Sequence, residues 1–187
     1  QQACTPSYPP APPSCHPAFF PRSQDDLKGA VDACLDLSPV GDCSTGPHGP
    51  ISDWDVARVT EMNEMFFEAS LFNQDLSKWD VSHVTNMDNM FRDAKSFNQD
   101  LSDWDVSSVT SMWSMFNNAH AFNTDVSKWD VSGVDNMESM FCWATSFNQD
   151  VSNWDVSHGP TMRGMFADAK SFNQDVSKWD VSQVTDM

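Results

Sequence analysis

Residues 76–100 read LSKWDVSHVTNMDNMFRDAKSFNQD. The pattern returns without a gap at 101–125, 126–150 and 151–175, so the unit is 25 residues long, and its plainest mark is a Trp-Asp-Val triplet at Trp54, Trp79, Trp104, Trp129, Trp154 and Trp179. A fixed period of this length is the signature of a solenoid: each unit is one coil that cannot bury its apolar side alone and is stabilised by the coils on either side. Equivalent residues then form columns, and both the core and any functional surface must be read column by column.

Within the unit the hydrophobic spacing changes. Trp79-Asp80-Val81-Ser82 alternates apolar with polar, which predicts a half-buried strand. Met87, Met90, Phe91 and Ala94 then fall at i, i+3, i+4 and i+7, the stripe of a short helix, with Thr85 as its N-cap, Asp88 in its first turn and Asn98 free to take a left-handed turn after it. The fold class predicted is α/β: one short parallel strand plus one short helix per 25-residue coil, the strands stacked as a sheet on one face and the helices on the other. The core takes Leu76, Trp79, Val81, Val84, Met87, Met90, Phe91, Ala94 and Phe97 from each coil. Outward tryptophans would turn Asp80 and Ser82 inward and bury a carboxylate in every coil, so the Trp column is assigned to packing. The methionines are read as core filler on the same grounds. Trp113 and Trp143 lie off that column and are candidates for a surface contact.

The chain divides into a Pro-rich extended arm at 1–22, a Cys-containing helical cap and loop at 23–50, and the repeats at 51–187. Ser23, three residues before Asp26, starts a helix that carries Leu27, Ala30, Val31 and Cys34 on one side and ends before Pro39. Cys4, Cys15, Cys34 and Cys43 crowd into the first part of the chain. Disulfides Cys4–Cys15 and Cys34–Cys43 are the reading preferred over zinc, because no CxxC knuckle is present. Such pairing fits an oxidising compartment, as does a chain that begins at Gln1. Cys142 is left as a free thiol. The sixth triplet is followed by Met187, where a helix should begin, so further coils, a cap or a neighbouring chain are expected beyond it.

A formal net charge of −17 argues against nucleic acid and anionic membranes, which are bound chiefly through Lys and Arg. No apolar run approaches the roughly 20 residues that span a bilayer. A Gly-rich phosphate loop, an HExxH pair and a close Cys-His or Ser-His arrangement are all missing, and His83 and His158 stand too far apart in their column to share a metal. No catalytic residue and no cofactor is predicted, and the chain is not read as an enzyme.

The column that faces outward is Asp55, Asp80, Asp105, Asp130, Asp155 and Asp180. Carboxylates stacked about 4.8 Å apart repel by about 1 kcal/mol even in water, so something must offset them. Neighbouring serines such as Ser82 and Ser107 and backbone amides are one source. The position two before each Asp, which runs Asp53, Lys78, Asp103, Lys128, Asn153, Lys178, offers cross-coil ion pairs as another. Calcium shared between adjacent carboxylates is a third. The Asn73 to Asn173 and Asp75 to Asp175 columns read as turn chemistry, with a second acidic ladder as the alternative.

The string from Phe97 to Met112, with Met115, Phe116 and Ala119 after it, resembles the BspA-like leucine-rich-repeat surface proteins. The resemblance covers Ile51 to Met187, with Leu101-x-x-Trp104-x-Val106 standing where leucine-rich repeats place Leu-x-x-Leu-x-Leu and Val109 in place of the usual Asn. It implies a leucine-rich-repeat-like solenoid at the cell surface or outside the cell, used in adhesion or in assembly of an extracellular structure through protein or glycan contacts. It brings no catalytic residues. The alternative reading is a calcium-dependent ligand-binding module built on the Asp column.

Overall fold

The computed structural model describes residues 18–187. The Cys4–Cys15 pair and most of the Pro-rich arm lie outside the described residues. Helix α1 spans Gln24–Leu37; the Ser23 hydroxyl accepts the Asp26 amide at 3.1 Å, Asp25 and Asp26 sit in the first turn, and Leu27, Ala30, Val31 and Cys34 are buried. Serine at the cap and acids beside the positive helix end are what the exposed amides there favour. Cys34 is disulfide-bonded to Cys43, with Cα atoms 5.5 Å apart, and a short 3-10 turn follows at Ile51–Asp53.

The strand and the helix predicted for each coil do not form, and the α/β assignment is corrected accordingly. Among the described residues α1 and the 3-10 turn are the only helical elements, and there is no sheet. Parallel pairing shrinks to isolated bridges that link Glu61, Asn86, Ser111, Asn136 and Thr161. The coils are stacked, but they are built from turns.

Two physical causes account for the difference. At the Trp-Asp-Val corner the Trp79 amide donates to Leu76 O at 3.0 Å and the Val84 amide to Val81 O at 2.9 Å, so a turn closes on each side of Asp80 and no extended run is left. The aspartates tighten both turns, since Oδ1 of Asp75 and of Asp80 accepts the amide two residues on, from Ser77 at 2.8 Å and Ser82 at 3.1 Å. In the methionine-rich half, the amides of Met87, Asn89, Phe91 and Asp93 donate to Ser111, Trp113, Met115 and Asn117 of the next coil, while those of Met90, Arg92 and Ala94 close onto Met87, Asn89 and Phe91. A helix needs its amides at the i−4 carbonyl; here alternate ones leave for the neighbouring coil.

That alternation forces left-handed residues. Asn89 and Asp93 sit at φ 55° and 62°, and Glu64, Glu68, Ser114, Asn118, Ser139, Trp143, Gly164 and Asp168 repeat the pattern in other coils. Most are Asn, Asp, Ser or Gly, types with a short side chain or none; Glu64, Glu68 and Trp143, at φ 59°, 60° and 60°, are the exceptions, Trp143 the bulkiest. Asn98, expected to be the left-handed residue, is not among them. Its Oδ1 instead accepts the Asn123 amide at 2.8 Å, one rung of a side-chain ladder that runs Asn73, Asn98, Asn123, Asn148, Asn173.

The core columns lie where the spacing puts them. Leu76, Trp79, Val81, Val84, Met87, Met90, Phe91, Ala94 and Phe97 are all buried, as are their equivalents in the coils on either side except Ala69, which is partly buried. Phe66, Phe91, Phe116, Phe141 and Phe166 stack nearly parallel at 5.3–5.7 Å between ring centroids, and each packs on a Phe of its own coil, as Phe116 does on Phe122 at 3.7 Å. Each tryptophan reaches back one coil, its indole N–H donating to a buried carbonyl: Trp104 to Leu76 O at 3.1 Å, Trp129 to Leu101 O and Trp154 to Val126 O at 3.0 Å. Trp54 has no preceding coil and donates to His48 O and Gly49 O of the cap loop, at 3.1 and 3.3 Å. The 23–50 segment thereby closes the first coil, helped by Gln24, whose amide donates to Asn63 Oδ1 at 2.7 Å.

The fifth coil departs locally. Pro160 has no N–H for the bond that Thr85, Thr110 and Asp135 make to the coil before, and the amide of Thr161 makes it instead, to Asp135 O at 2.9 Å. Gly159, at φ +81°, lies so close to Gln183 that a Cβ there would meet its carbonyl oxygen at 2.5 Å.

Candidate functional site

Asp55, Asp80, Asp105, Asp130, Asp155 and Asp180 are all solvent-exposed. Each sits at the turn that ends its Trp-Asp-Val corner. Oδ1 of Asp80 accepts both the amide of Ser82, at 3.1 Å, and its hydroxyl, at 2.6 Å, and Asp105 with Ser107, Asp130 with Ser132 and Asp155 with Ser157 repeat the arrangement. Asp180 accepts the Ser182 amide and Asp55 that of Ala57. The serine hydroxyl and then its amide hold the carboxyls of Asp80, Asp105, Asp155 and Asp180 below the usual carboxylate range. The carboxylates of neighbouring coils push the other way, Asp80 on Asp105 and Asp155 on Asp180. Hydrogen bonding outweighs that repulsion, so these groups stay charged at neutral pH.

A second acidic ladder runs beside the first. Asp75, Asp100, Asp125, Asp150 and Asp175 each accept the amide of the serine two residues on, at 2.8–2.9 Å. Their carboxyls are likewise held low by that serine, while the next coil's carboxylate pushes the other way, Asp125 on Asp100, Asp150 on Asp125 and Asp175 on Asp150. Of the expected cross-coil ion pairs, Lys78 reaches Asp53 at 3.5 Å; among the described residues neither Lys128 nor Lys178 comes that close to a carboxylate. Cation pairing is therefore a minor stabiliser of the face compared with the serines.

No group of three or more His, Cys, Asp or Glu placed to hold a metal occurs among the described residues. Each Asp in the ladders spends Oδ1 on its own turn, and Oδ2 takes no hydrogen bond among the described residues. His83 Nδ1 lies 3.1 Å from Ser82 Oγ and His158 Nε2 2.9 Å from Val134 O, so the two serve separate coils. Cys142 is a half-buried free thiol, pushed up by burial and by the charge of Asp168. Trp113 and Trp143 are exposed, the second with Lys170 over its ring at 6.0 Å. No helix among the described residues is long and apolar enough to cross a membrane.

A family model described as a Mycoplasma protein of unknown function, DUF285, matches residues 40–142 and 121–187. The chain belongs to this family. The DUF285 match takes in all of the repeats and the cap loop from Val40 onward, Cys43 included, and leaves α1 and the Pro-rich start outside. No curated protein and no solved structure matches the chain.

The turn chemistry expected of the Asp75 to Asp175 column and the serine and amide bonds expected at Asp80 and Asp105 are present; what hydrophobic spacing missed is that the Asp80 column also closes a turn instead of lying in a strand. The signal was present as Asp-x-Ser, which occurs at both corners of the unit, in residues 75–77 and 80–82. A carboxylate two residues before a serine bonds its own backbone. Also missed was a cavity beside the cap, lined by Arg22 and Arg58, which no periodicity marks because Arg22 lies outside the repeats.

Proposed function

We propose that the chain is a secreted or cell-surface, non-enzymatic repeat scaffold, whose acidic face makes adhesive or assembly contacts with basic surfaces of extracellular proteins or glycans. The observation that carries this reading is the ladder Asp80, Asp105, Asp130, Asp155, whose carboxylates are exposed and fixed in direction by Ser82, Ser107, Ser132 and Ser157. A regular row of oriented charges gives complementary partners both encounter rate and register. The Cys34–Cys43 disulfide supports an oxidising location, and the repeat motif's resemblance to BspA-like leucine-rich-repeat surface proteins supports the adhesive role.

The test is capture from extracellular material by the immobilised chain, with and without a chelator, beside the triple variant Asp80→Asn, Asp105→Asn, Asp130→Asn. Capture that is lost in the variant, weakened by salt and indifferent to chelator is the expected result. Capture abolished by the chelator would replace this reading with the calcium-dependent one, and capture unchanged in the variant would remove the acidic face from the function.

A further inference from the structure

Arginine is scarce in this chain: Arg22, Arg58, Arg92 and Arg163 are all it has. The first two meet at one open cavity of about 460 Å³ beside the cap, together with Ala18, Phe19, Phe20 and His48. Lys28, Lys78 and Arg92 have carboxylate partners in Asp32, Asp53 and Asp93. Arg22 and Arg58 form no ion pair among the described residues, and residues 1–17 contain no Asp or Glu to supply one. The nearest acids are engaged otherwise: Asp26 accepts the backbone amide of Arg22, and Asp55 accepts that of Ala57 while its own amide donates to Phe19 O. In a chain of net charge −17, two uncompensated guanidiniums on one concavity are a feature to explain.

The aromatic walls add shape. Phe19 lies on His48, 4.0 Å between centroids, and meets the edge of Trp54 at 5.0 Å, so its ring is held in place. Phe20 remains 53% exposed and presents a free face at the rim. A guanidinium is a planar fork matched to a carboxylate, and each such charge-assisted bond is strong. Polyanions are repelled by the acidic bulk of the molecule, whereas a single negative group on an otherwise neutral body meets that field only weakly and gains the short-range contact.

We propose that this cavity binds a monocarboxylate carried on a ring, its carboxylate held by Arg22 and Arg58 and its ring lying on Phe20. The ring acid is either an aromatic acid or the uronic acid of a saccharide, and the site is independent of the acidic face. The test is calorimetric titration of the whole chain at low ionic strength with 4-hydroxybenzoate, glucuronate, acetate and methyl 4-hydroxybenzoate. Variants are Arg22→Ser and Arg58→Ser; the second installs the residue that Ser108 supplies at the same position of another coil, so folding is kept and is checked by an unchanged melting temperature. The expected result is one-to-one binding of a ring acid, much weaker binding of acetate and of the neutral ester, a loss of about tenfold or more in either variant, and no binding in the double variant. Preference for 4-hydroxybenzoate identifies an aromatic acid as ligand class, and preference for glucuronate an acidic saccharide. Acetate or the ester binding as well as the ring acids, full binding in the double variant, or no binding of either ring acid would overturn the assignment.

Discussion

Replacing Trp129 with Phe tests whether the coils are joined at this corner by a side chain or by a backbone ladder. The indole N–H of Trp129 donates to Leu101 O at 3.0 Å in a buried setting, and the ring is 3% exposed. Phenylalanine keeps an aromatic ring against Phe116, which lies 6.3 Å away, but removes the cross-coil donor and leaves the Leu101 carbonyl with the Trp104 amide alone, at 3.1 Å. Losing one of the two hydrogen bonds to that carbonyl costs about 0.5–1.5 kcal/mol, and the space vacated by the second ring adds about 1 kcal/mol. The total, about 1.5–2.5 kcal/mol, corresponds to a fall in melting temperature of roughly 3–10 °C for a chain of this size. Trp179→Phe is the internal control, because Trp179 is only half-buried and its bond to Val151 O is partly exposed, so its loss should be less than half as large. Calorimetric melts and urea titrations followed by tryptophan fluorescence give both numbers. If Trp129→Phe stays within about 0.5 kcal/mol of the parent, as surface substitutions do, the indole is not what ties one coil to the next.

Acid should loosen the stack in a defined window. The carboxyls of Asp75, Asp80, Asp100, Asp105 and Asp125 are held below their ordinary value by serine hydroxyls and amides; a depressed folded value means their contribution is whole above the ordinary carboxylate range and is lost as pH falls through it. Melting temperature should therefore stay level from neutrality to about pH 5 and drop below about pH 4, less steeply when Ser82, Ser107 and Ser132 are changed to alanine; a level profile down to pH 3 would contradict the assignment. Removing the Cys34–Cys43 bridge, with nine residues of separation, should cost about 2–3 kcal/mol by the loop-entropy relation, read as a lower melting temperature of Cys34→Ser/Cys43→Ser. Thr124 stands where other coils carry Gln, and its hydroxyl is buried without a partner; Gln149 and Gln174 in that column donate to Asn123 and Asn148 of the coil before. Thr124→Gln should regain such bonds to Asn98 and raise stability by about 1 kcal/mol, measured in the same urea titration.

How much of this was legible follows from what a hydrophobic pattern encodes. Val81 and Val84, or Met87, Met90 and Phe91, point inward in the structure as their spacing required, because burial depends on which residues face the axis of the stack. It does not depend on how the backbone carries them there. An i, i+3, i+4 stripe is produced by a helix, and it is produced as well by consecutive turns whose corners point inward, as in Val81–Val84 and Met87–Met90. The hydrogen-bond pattern decides between the two, and it is set by residues the stripe ignores: Asn89 and Asp93, which tolerate left-handed φ, and Asp75 and Asp80, which capture their own chain. The same ambiguity governs the acidic columns. Their exposure followed from alternation alone, but whether a row of carboxylates is a ligand site or a turn device turned on the serine two residues later.

Those two roles are compatible, and their combination gives the face its character. A serine that spends its hydroxyl and amide on Oδ1 of Asp80 stabilises the turn and, in doing so, keeps the carboxylate ionised and holds it in one orientation on an exposed corner. Repeating the pair at Asp105, Asp130 and Asp155 converts a local backbone solution into a periodic surface, so selection for a stable coil and selection for a charged face act on the same residues. Substituting the serines therefore separates what substituting the aspartates cannot: Ser82→Ala with Ser107→Ala and Ser132→Ala removes the hydroxyl bond and keeps the amide bond, as at Asp55 and Ala57, so the carboxylates are held less firmly while the net charge is unchanged. If capture of a basic partner depends only on charge, it survives these changes; if it depends on the oriented row, it falls with them.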